Sequence, residues 1–370
     1  VKLRIFITPK LFTPAFAMQT SRGMVHQKKS YYVLLQAGAD IGVGEGAPLP
    51  GLSKDGDTEW LRFISYLLQE PTLPDPTALG AYTWAQTTAS QAGVPVASSI
   101  IFALESAVLS LINGQPEVYY PGTFTGGSMG IPINGLVWMD DLVAMRHQAE
   151  EKVQAGFTTI KFKIGAKTWA DELALLKDFR KGHSPDEIIV RVDANGAFTE
   201  DKAMRVMDAL QGLCVHSIEQ PIAAGNAGAL RRLAREGATP MALDEEFITP
   251  MPDDERDDML AYVGAPFWVL KPTLIGGLGT TEHLIELAHK QGARWWLTSS
   301  LESGIALTAI AQLAASHNPT LPQGLSTGKI YLEPVQHPNK LESASLFFDQ
   351  AAGFDIAWLK QPDPRLVGAQ

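Results

Sequence analysis

Thr159-Ile160-Lys161-Phe162-Lys163-Ile164 is the stretch on which the reading of the fold turns. Side chains in an extended strand alternate faces, so Lys161 and Lys163 point the same way, and two adjacent ammonium groups are costly in a packed interior. Two readings are open. One is a solvated strand face with lysine at both polar positions. The other is a reactive pair in which one ammonium lowers the pKa of its neighbour and leaves a base usable near neutral pH.

The sequence on either side decides between them. Ile189-Val190-Arg191-Val192-Asp193-Ala194-Asn195 follows, then Cys214-Val215-His216-Ser217-Ile218-Glu219, Met241-Ala242-Leu243-Asp244 and Phe267-Trp268-Val269-Leu270-Lys271. Each is a short apolar strand ending on a charge, and positions 163, 193, 219, 244 and 271 lie 30, 26, 25 and 27 residues apart. That is one βα unit per step. Parallel strands in a closed barrel bring their C-terminal ends to one rim, where enzymes of this architecture keep their chemistry. Three carboxylates and two lysines are therefore expected to face one cavity.

The same alternation extends in both directions. Strands are expected at Ile133–Val137, Thr159–Ile164, Ile188–Asp193, Leu213–Glu219, Met241–Asp244, Phe267–Lys271, Arg294–Thr298 and Leu321–Ser326, with a helix between each pair. Eight such repeats predict a closed barrel rather than an open doubly wound sheet. Upstream, strands at Leu3–Thr8, Ser30–Gln36 and Ile41–Glu45 form an antiparallel meander, and helices follow at Thr58–Gln69 and Val94–Leu111. Gly44 to Gly51 is rich enough in Gly and Pro to predict irregular structure. The fold class is thus α/β: a (β/α)7β TIM-like barrel over residues 126–328 with an N-terminal α+β capping domain over 1–125. Residues 329–370 are expected to complete the cap, with the strand-like Ser345–Phe348 pairing back onto it.

Composition narrows the function. The chain has 370 residues, 45% of them hydrophobic and 19% charged, which suits a soluble two-domain protein with ample core. No window approaches the ~18 uninterrupted apolar residues of a membrane span. Val1 to Phe16 alternates like a strand and lacks the continuous apolar core of a signal peptide. A net charge of −10 without a basic patch argues against nucleic-acid or anionic-membrane partners and leaves a small-molecule substrate. Cys214 is the only cysteine, which excludes an intrachain disulfide and a thiolate metal cluster and fits a reducing cytoplasm. Whether the chain is a monomer or a homo-oligomer is undetermined at this level.

Asp193, Glu219 and Asp244 offer three oxygen ligands from three neighbouring strands, the donor set of a hard divalent cation, Mg²⁺ above all and Mn²⁺ as a substitute. Any one of them alone would more often be a helix cap or a solvated loop acid. Three unpaired acids crowded into one barrel mouth, however, would repel strongly without a cation. A cation beside a substrate carboxylate withdraws charge from it and makes the adjacent carbon acid deprotonable by lysine.

This order, Lys161-x-Lys163, Asp193-Ala-Asn195, Glu219-Gln-Pro221, Asp244-Glu245 and Lys271-Pro272, resembles the enolase superfamily in its muconate-lactonising subgroup, over nearly the whole chain. That superfamily pairs a Lys or His base with one or two Mg²⁺. The resemblance implies Lys163 as base, Lys271 on the opposite face, Lys161 beside them, and Asp193, Glu219 and Asp244 on Mg²⁺. Gly44 to Gly51, Arg191 to Asn195 and Thr298-Ser299-Ser300-Leu301-Glu302-Ser303 are similar to segments of the o-succinylbenzoate synthases of menaquinone biosynthesis. The implied reaction is syn dehydration of 2-succinyl-6-hydroxy-2,4-cyclohexadiene-1-carboxylate (SHCHC). Racemisation of N-succinylamino acids, dipeptide epimerisation and muconate-type cycloisomerisation are the alternatives on the same scaffold.

The resemblance also implies that Ser299 and Ser300 hold the substrate carboxylate and that Asn195 faces the substrate. Thr20-Ser21-Arg22-Gly23 resembles the mobile cap loop that closes over it, with Arg22 as a substrate contact. Arg191 either offsets the acid cluster or meets the substrate. By strand alternation His216 and Cys214 face the helices and are structural, and at least one of Trp295 and Trp296 packs outward. Gly276-Gly277-Leu278-Gly279 looks like a phosphate loop but more simply supplies a tight βα turn.

Overall fold

The computed structural model of the chain describes residues 3–20, 23–69, 72–94, 96–325 and 329–360. Ser21, Arg22, Ser326, Thr327 and Gly328 lie outside the described residues.

Seven parallel strands, Gly135–Val137, Thr159–Lys163, Ile189–Asp193, Ser217–Glu219, Met241–Leu243, Phe267–Leu270 and Arg294–Leu297, neighbour one another in chain order. Helices connect successive strands, as parallel pairing requires. The register places Lys163 beside Asp193 and Asp193 beside Glu219, so the charged strand ends form one row. Parallel bridges from Ile133 to Gln323 and from Thr298 to Gly324 join the two sheet edges. Among the described residues of the predicted Leu321–Ser326 strand, only Gln323 and Gly324 make these bridges. Gln323 does the joining: its side-chain carbonyl accepts from the Leu297 N–H at 2.7 Å, and its backbone N–H donates to Pro132 at 2.8 Å.

Inward and outward faces follow the strand period. Trp296 packs with Ala242, Phe267, Val269 and Leu321 inside the sheet, while the Trp295 indole N–H reaches His289 on the neighbouring helix at 3.1 Å. The Ser217–Glu219 strand starts later than expected because Cys214 takes φ +51°, which ends the regular alternation before it. His216 accordingly does not face the helices. Its ring lies 4.6 Å from that of Phe267, on the inner face, and Cys214 is exposed.

The N-terminal sheet is antiparallel, in the order Leu3–Phe12, Lys28–Ala37, Asp40–Gly46. Its central strand is buried on both faces. Tyr31, Val33 and Leu35 join a core with Trp60, Phe63 and Trp84 of the N-terminal helices, whereas Tyr32 and Leu34 join the main core beneath. Gly42, Gly44 and Gly46 share one face of the last strand, and a Cβ at Gly42 or Gly44 would lie 1.9 Å from a carbonyl of the helix Ser98–Asn113. These glycines let the helix backbone rest directly on the sheet. Gly44-Glu45-Gly46 is thus regular strand, not the irregular segment its composition suggested. The helix Ala81–Gln91 was not expected, because its small residues and threonines give only a weak apolar stripe.

Two buried glutamates fix this layer to helices that follow the parallel strands. Glu45 accepts from the Ser303 N–H at 2.9 Å, the Ser303 hydroxyl at 2.7 Å and the Ala306 N–H at 3.0 Å, at the start of the helix Gly304–Ser316. Glu105 accepts from the N–H groups of Leu278 and Gly279 at 2.6 and 2.8 Å, at the start of the helix Leu278–Gln291. An anion there is favoured by unpaired N–H groups and by the helix dipole. The glycine run at 276–279 therefore holds a protein carboxyl group. Burial pushes the Glu105 carboxyl up to about 8 even so. In the tail, Ser345–Phe348 pairs with Asn339–Glu342 and with Ile131–Pro132, not with the N-terminal sheet. Tyr331, which packs on Phe12 and bridges to Pro14, and the last turn, Ala357–Lys360, reach that sheet, the Thr8 hydroxyl donating to the Leu359 carbonyl at 3.3 Å.

Candidate active site

A cavity of about 660 Å³ opens over the C-terminal ends of the parallel strands. Its floor includes Lys161, Lys163, Asp193, Asn195 and Lys271, its side Ser299 and Ser300, and its outer wall Phe16, Met24, Val25, Leu49, Leu52 and Trp138. The strand Gly23–Val25, paired with Met18–Thr20, brings Gly23, Met24 and Val25 there, while Ser21 and Arg22 of the predicted cap loop lie outside the described residues.

The five charged residues expected at the strand ends and Lys161 are found together, although of the three acids Asp193 lines the cavity and Glu219 and Asp244 are not among its lining residues. Lys161 Nζ lies 2.6 and 2.7 Å from the two Glu219 oxygens and 3.0 Å from Asp193 Oδ2. Lys163 Nζ donates to the same Asp193 oxygen at 2.9 Å and to Asn195 Oδ1 at 2.8 Å. Lys271 donates to Asp244. Asp193, Glu219 and Asp244 are buried to within 2% of full enclosure, and each must be neutralised. In this arrangement the ammonium groups do it.

The electrostatics follow from that pairing. Burial alone would raise Asp193, but Lys161 and Lys163 outweigh it and hold the carboxyl far below the usual range. Burial, reinforced by Asp193, raises Glu219; burial, reinforced by Glu245, raises Asp244. Burial would lower Lys161 and Lys271, yet the carboxylates around each outweigh it and hold both above the ordinary lysine value. Lys161 is therefore not depressed by its neighbour. Asp193 stands between the two ammonium groups and takes up the repulsion.

Among the described residues no three acidic, histidine or cysteine side chains stand in ligating geometry, because the ammonium groups sit among the three acids. The donor set nonetheless fits a hard divalent cation: three carboxylates on adjacent strand ends, with Asp244 Oδ1 buried and without a hydrogen-bond partner. An orphaned buried carboxylate oxygen is costly, and a cation would satisfy it.

The other candidates divide. Asn195 faces the cavity, but its side chain is committed to protein: Oδ1 to Lys163 and Nδ2 to Glu245 at 3.2 Å. Its φ of +43° turns the chain sharply so that this is possible. Ser300 lines the cavity while its hydroxyl and N–H donate to Glu302 at 2.6 Å each, in a buried network with Thr273. Ser299 lines the cavity beside it. Arg191 does not line it. Its guanidinium stacks 4.0 Å over Trp296 and donates to the Pro322 carbonyl at 2.9 Å, beneath the acids. Burial draws it down to about 9, so it stays charged at neutral pH and offsets the cluster from below. Arg22 lies outside the described residues. Sequence reading missed Glu245, although Asp244-Glu245-Glu246 was visible, and missed Lys152, which lines the cavity without any motif.

Residues 144–362 match the family model described as Enolase C-terminal domain-like. The chain is 35% identical over 331 residues to the o-succinylbenzoate synthase of Desulfotalea psychrophila, covering 84% of this chain and 90% of that one. The crystal structure of MenC from the same organism superposes with a TM-score of 0.83 at 29% identity, over 93% of this chain and 99% of that one. A dipeptide epimerase from Cytophaga hutchinsonii, solved with Mg and the dipeptide D-Ala-L-Val, is similar in fold, with a TM-score of 0.81 at 18% identity over 96% of both chains. With the lysines and acids gathered at the strand ends and more than half its length matched by the family model, the chain belongs to the enolase superfamily, a family of enzymes.

Proposed function

We propose that the protein is an o-succinylbenzoate synthase, a carbon–oxygen lyase that dehydrates SHCHC on a (β/α)7β barrel closed by an N-terminal cap. The observation that carries this is Lys163 and Lys271 facing one cavity from strands on opposite sides of the row, with Asp193, Glu219 and Asp244 between them. The likeness to the Desulfotalea psychrophila enzyme supports the substrate.

Asp193, Glu219 and Asp244 would hold Mg²⁺ or Mn²⁺, and a bound ion supplies positive charge against the negative charge that builds on a substrate carboxylate. Lys163 removes the proton alpha to the ring carboxylate and returns it to the hydroxyl on the same face. One C–H and one C–O bond break, a C=C bond forms, water leaves and the ring becomes aromatic. Lys271 keeps its proton and sets its charge against the other face of the ring. Asn195 holds Lys163 Nζ in place, and Ser299 meets a substrate carboxylate, with Ser300 held behind it by Glu302. The apolar outer wall excludes water from the ring.

Two lysines facing one cavity also fit a racemase, in which one removes and the other returns a proton. The test is to supply the Mg²⁺-loaded protein with SHCHC, N-succinylamino acids and dipeptides, following diene absorbance and optical rotation. Turnover of SHCHC well above the others is expected. Racemisation without loss of the diene would replace this reading with the second.

A further inference from the structure

Gln220 follows Glu219, is fully buried, and adopts φ +38°, a left-handed conformation that a side-chain-bearing residue rarely takes. All four hydrogen-bonding positions of its amide are used. Oε1 accepts from the backbone N–H groups of Asp244 and Glu245 at 3.1 and 3.2 Å. Nε2 donates to the Ile222 carbonyl at 2.9 Å and to Glu246 Oε1 at 3.4 Å. Its backbone N–H donates to Ala242 at 2.8 Å, and its carbonyl accepts from the Gly196 N–H at 2.7 Å. One residue thereby ties together the strand ends that carry Asp193, Glu219 and Asp244.

Asp244 needs such a tie. Its strand stops at Leu243, and it takes φ −134° and ψ −72° before a single 3-10 turn, so the sheet ladder does not fix its direction. We infer that Gln220 is a positioning residue: its amide oxygen sets the backbone of Asp244, and hence the aim of the Asp244 carboxylate and the affinity of the acid trio for a divalent cation. The inference rests on the metal reading given above. An apolar side chain at 220 would remove the acceptor of the buried Asp244 N–H and leave Asp244 free to turn. A carboxylate would keep the acceptor and lose the donors.

The test is calorimetric titration of Mg²⁺ into the EDTA-stripped full chain as wild type, Gln220→Met and Gln220→Glu, with urea unfolding of each metal-free protein alongside. Methionine conserves volume and is expected to weaken Mg²⁺ binding by about 10- to 100-fold, the range for residues that orient metal ligands. Glutamate is expected to stay within about threefold of wild type, because the acceptor half of the amide does the positioning. If the methionine variant shows no cooperative unfolding, Gln220→Asn is read in its place, since its amide stops one methylene short of Asp244. Mg²⁺ affinity unchanged in these variants, or falling alike in the glutamate variant, overturns the positioning role alone. A wild-type chain that binds no Mg²⁺ overturns the metal reading, and this inference with it.

Discussion

Replacing Glu105 by glutamine should change how stability depends on pH, by an amount that follows from the structure. The carboxyl is 2% exposed and is raised from 4.5 to about 8, chiefly by burial, against the pull of the two helix N–H groups it accepts. Between those values the folded protein keeps a proton that the unfolded chain has lost, so stability falls as pH rises through the window. From about pH 5 to about pH 8 that is three pKa units, or roughly 4 kcal/mol at 1.36 kcal/mol per unit. Glutamine does not titrate, and every other group is shared, so the difference between the two proteins isolates this one site. Urea unfolding of both at constant ionic strength is the assay. The mispaired glutamine N–H₂ adds a constant offset, and above it the variant should gain on wild type by about 4 kcal/mol across the window. A difference that stays flat would mean that Glu105 is ionised throughout and that the helix N-terminus fully offsets its burial.

Gly44→Ala places a methyl group 1.9 Å from the Ala103 carbonyl and 2.7 Å from the Ser106 hydroxyl, so the helix must move off the sheet. A loss of about 3 kcal/mol is expected, read as a lower urea midpoint. Gly165 sits at φ +93° just after Lys163, and a Cβ there would lie 2.5 Å from that of Ala197. Gly165→Ala should cost about 2 kcal/mol and lower kcat more than it raises KM, because the disturbed turn carries the base. Stripping the protein with EDTA should abolish turnover of SHCHC, and Mg²⁺ or Mn²⁺ should restore it while Ca²⁺ restores less, measured as initial rates.

What was legible in the sequence was whatever leaves a local period. A strand ending on a charge every 25 to 30 residues is such a signal, and it located Lys163, Asp193, Glu219, Asp244 and Lys271 on adjacent strands. It could not show that Lys161 lies within reach of both Asp193 and Glu219, because that depends on register between strands. Composition misread Gly44-Glu45-Gly46, since glycines that admit a helix against a strand look the same in sequence as glycines in a loop. Alternation failed for His216 because it lies just before the strand Ser217–Glu219 begins, after the left-handed Cys214 has broken the extended run. The partners of Glu45 and Glu105 were hidden for a further reason: each carboxylate meets a helix that starts more than 170 positions away.

The account stands or falls on Lys163 acting as the base. Its most direct test is the loss of diene absorbance when Mg²⁺-loaded protein is mixed with SHCHC, wild type against Lys163→Ala, with circular dichroism confirming the fold of both. Removal of a general base predicts a wild-type rate at least about 10³-fold above that of the variant, with superposable spectra. Comparable rates in the two proteins, or no decay in either, would contradict it.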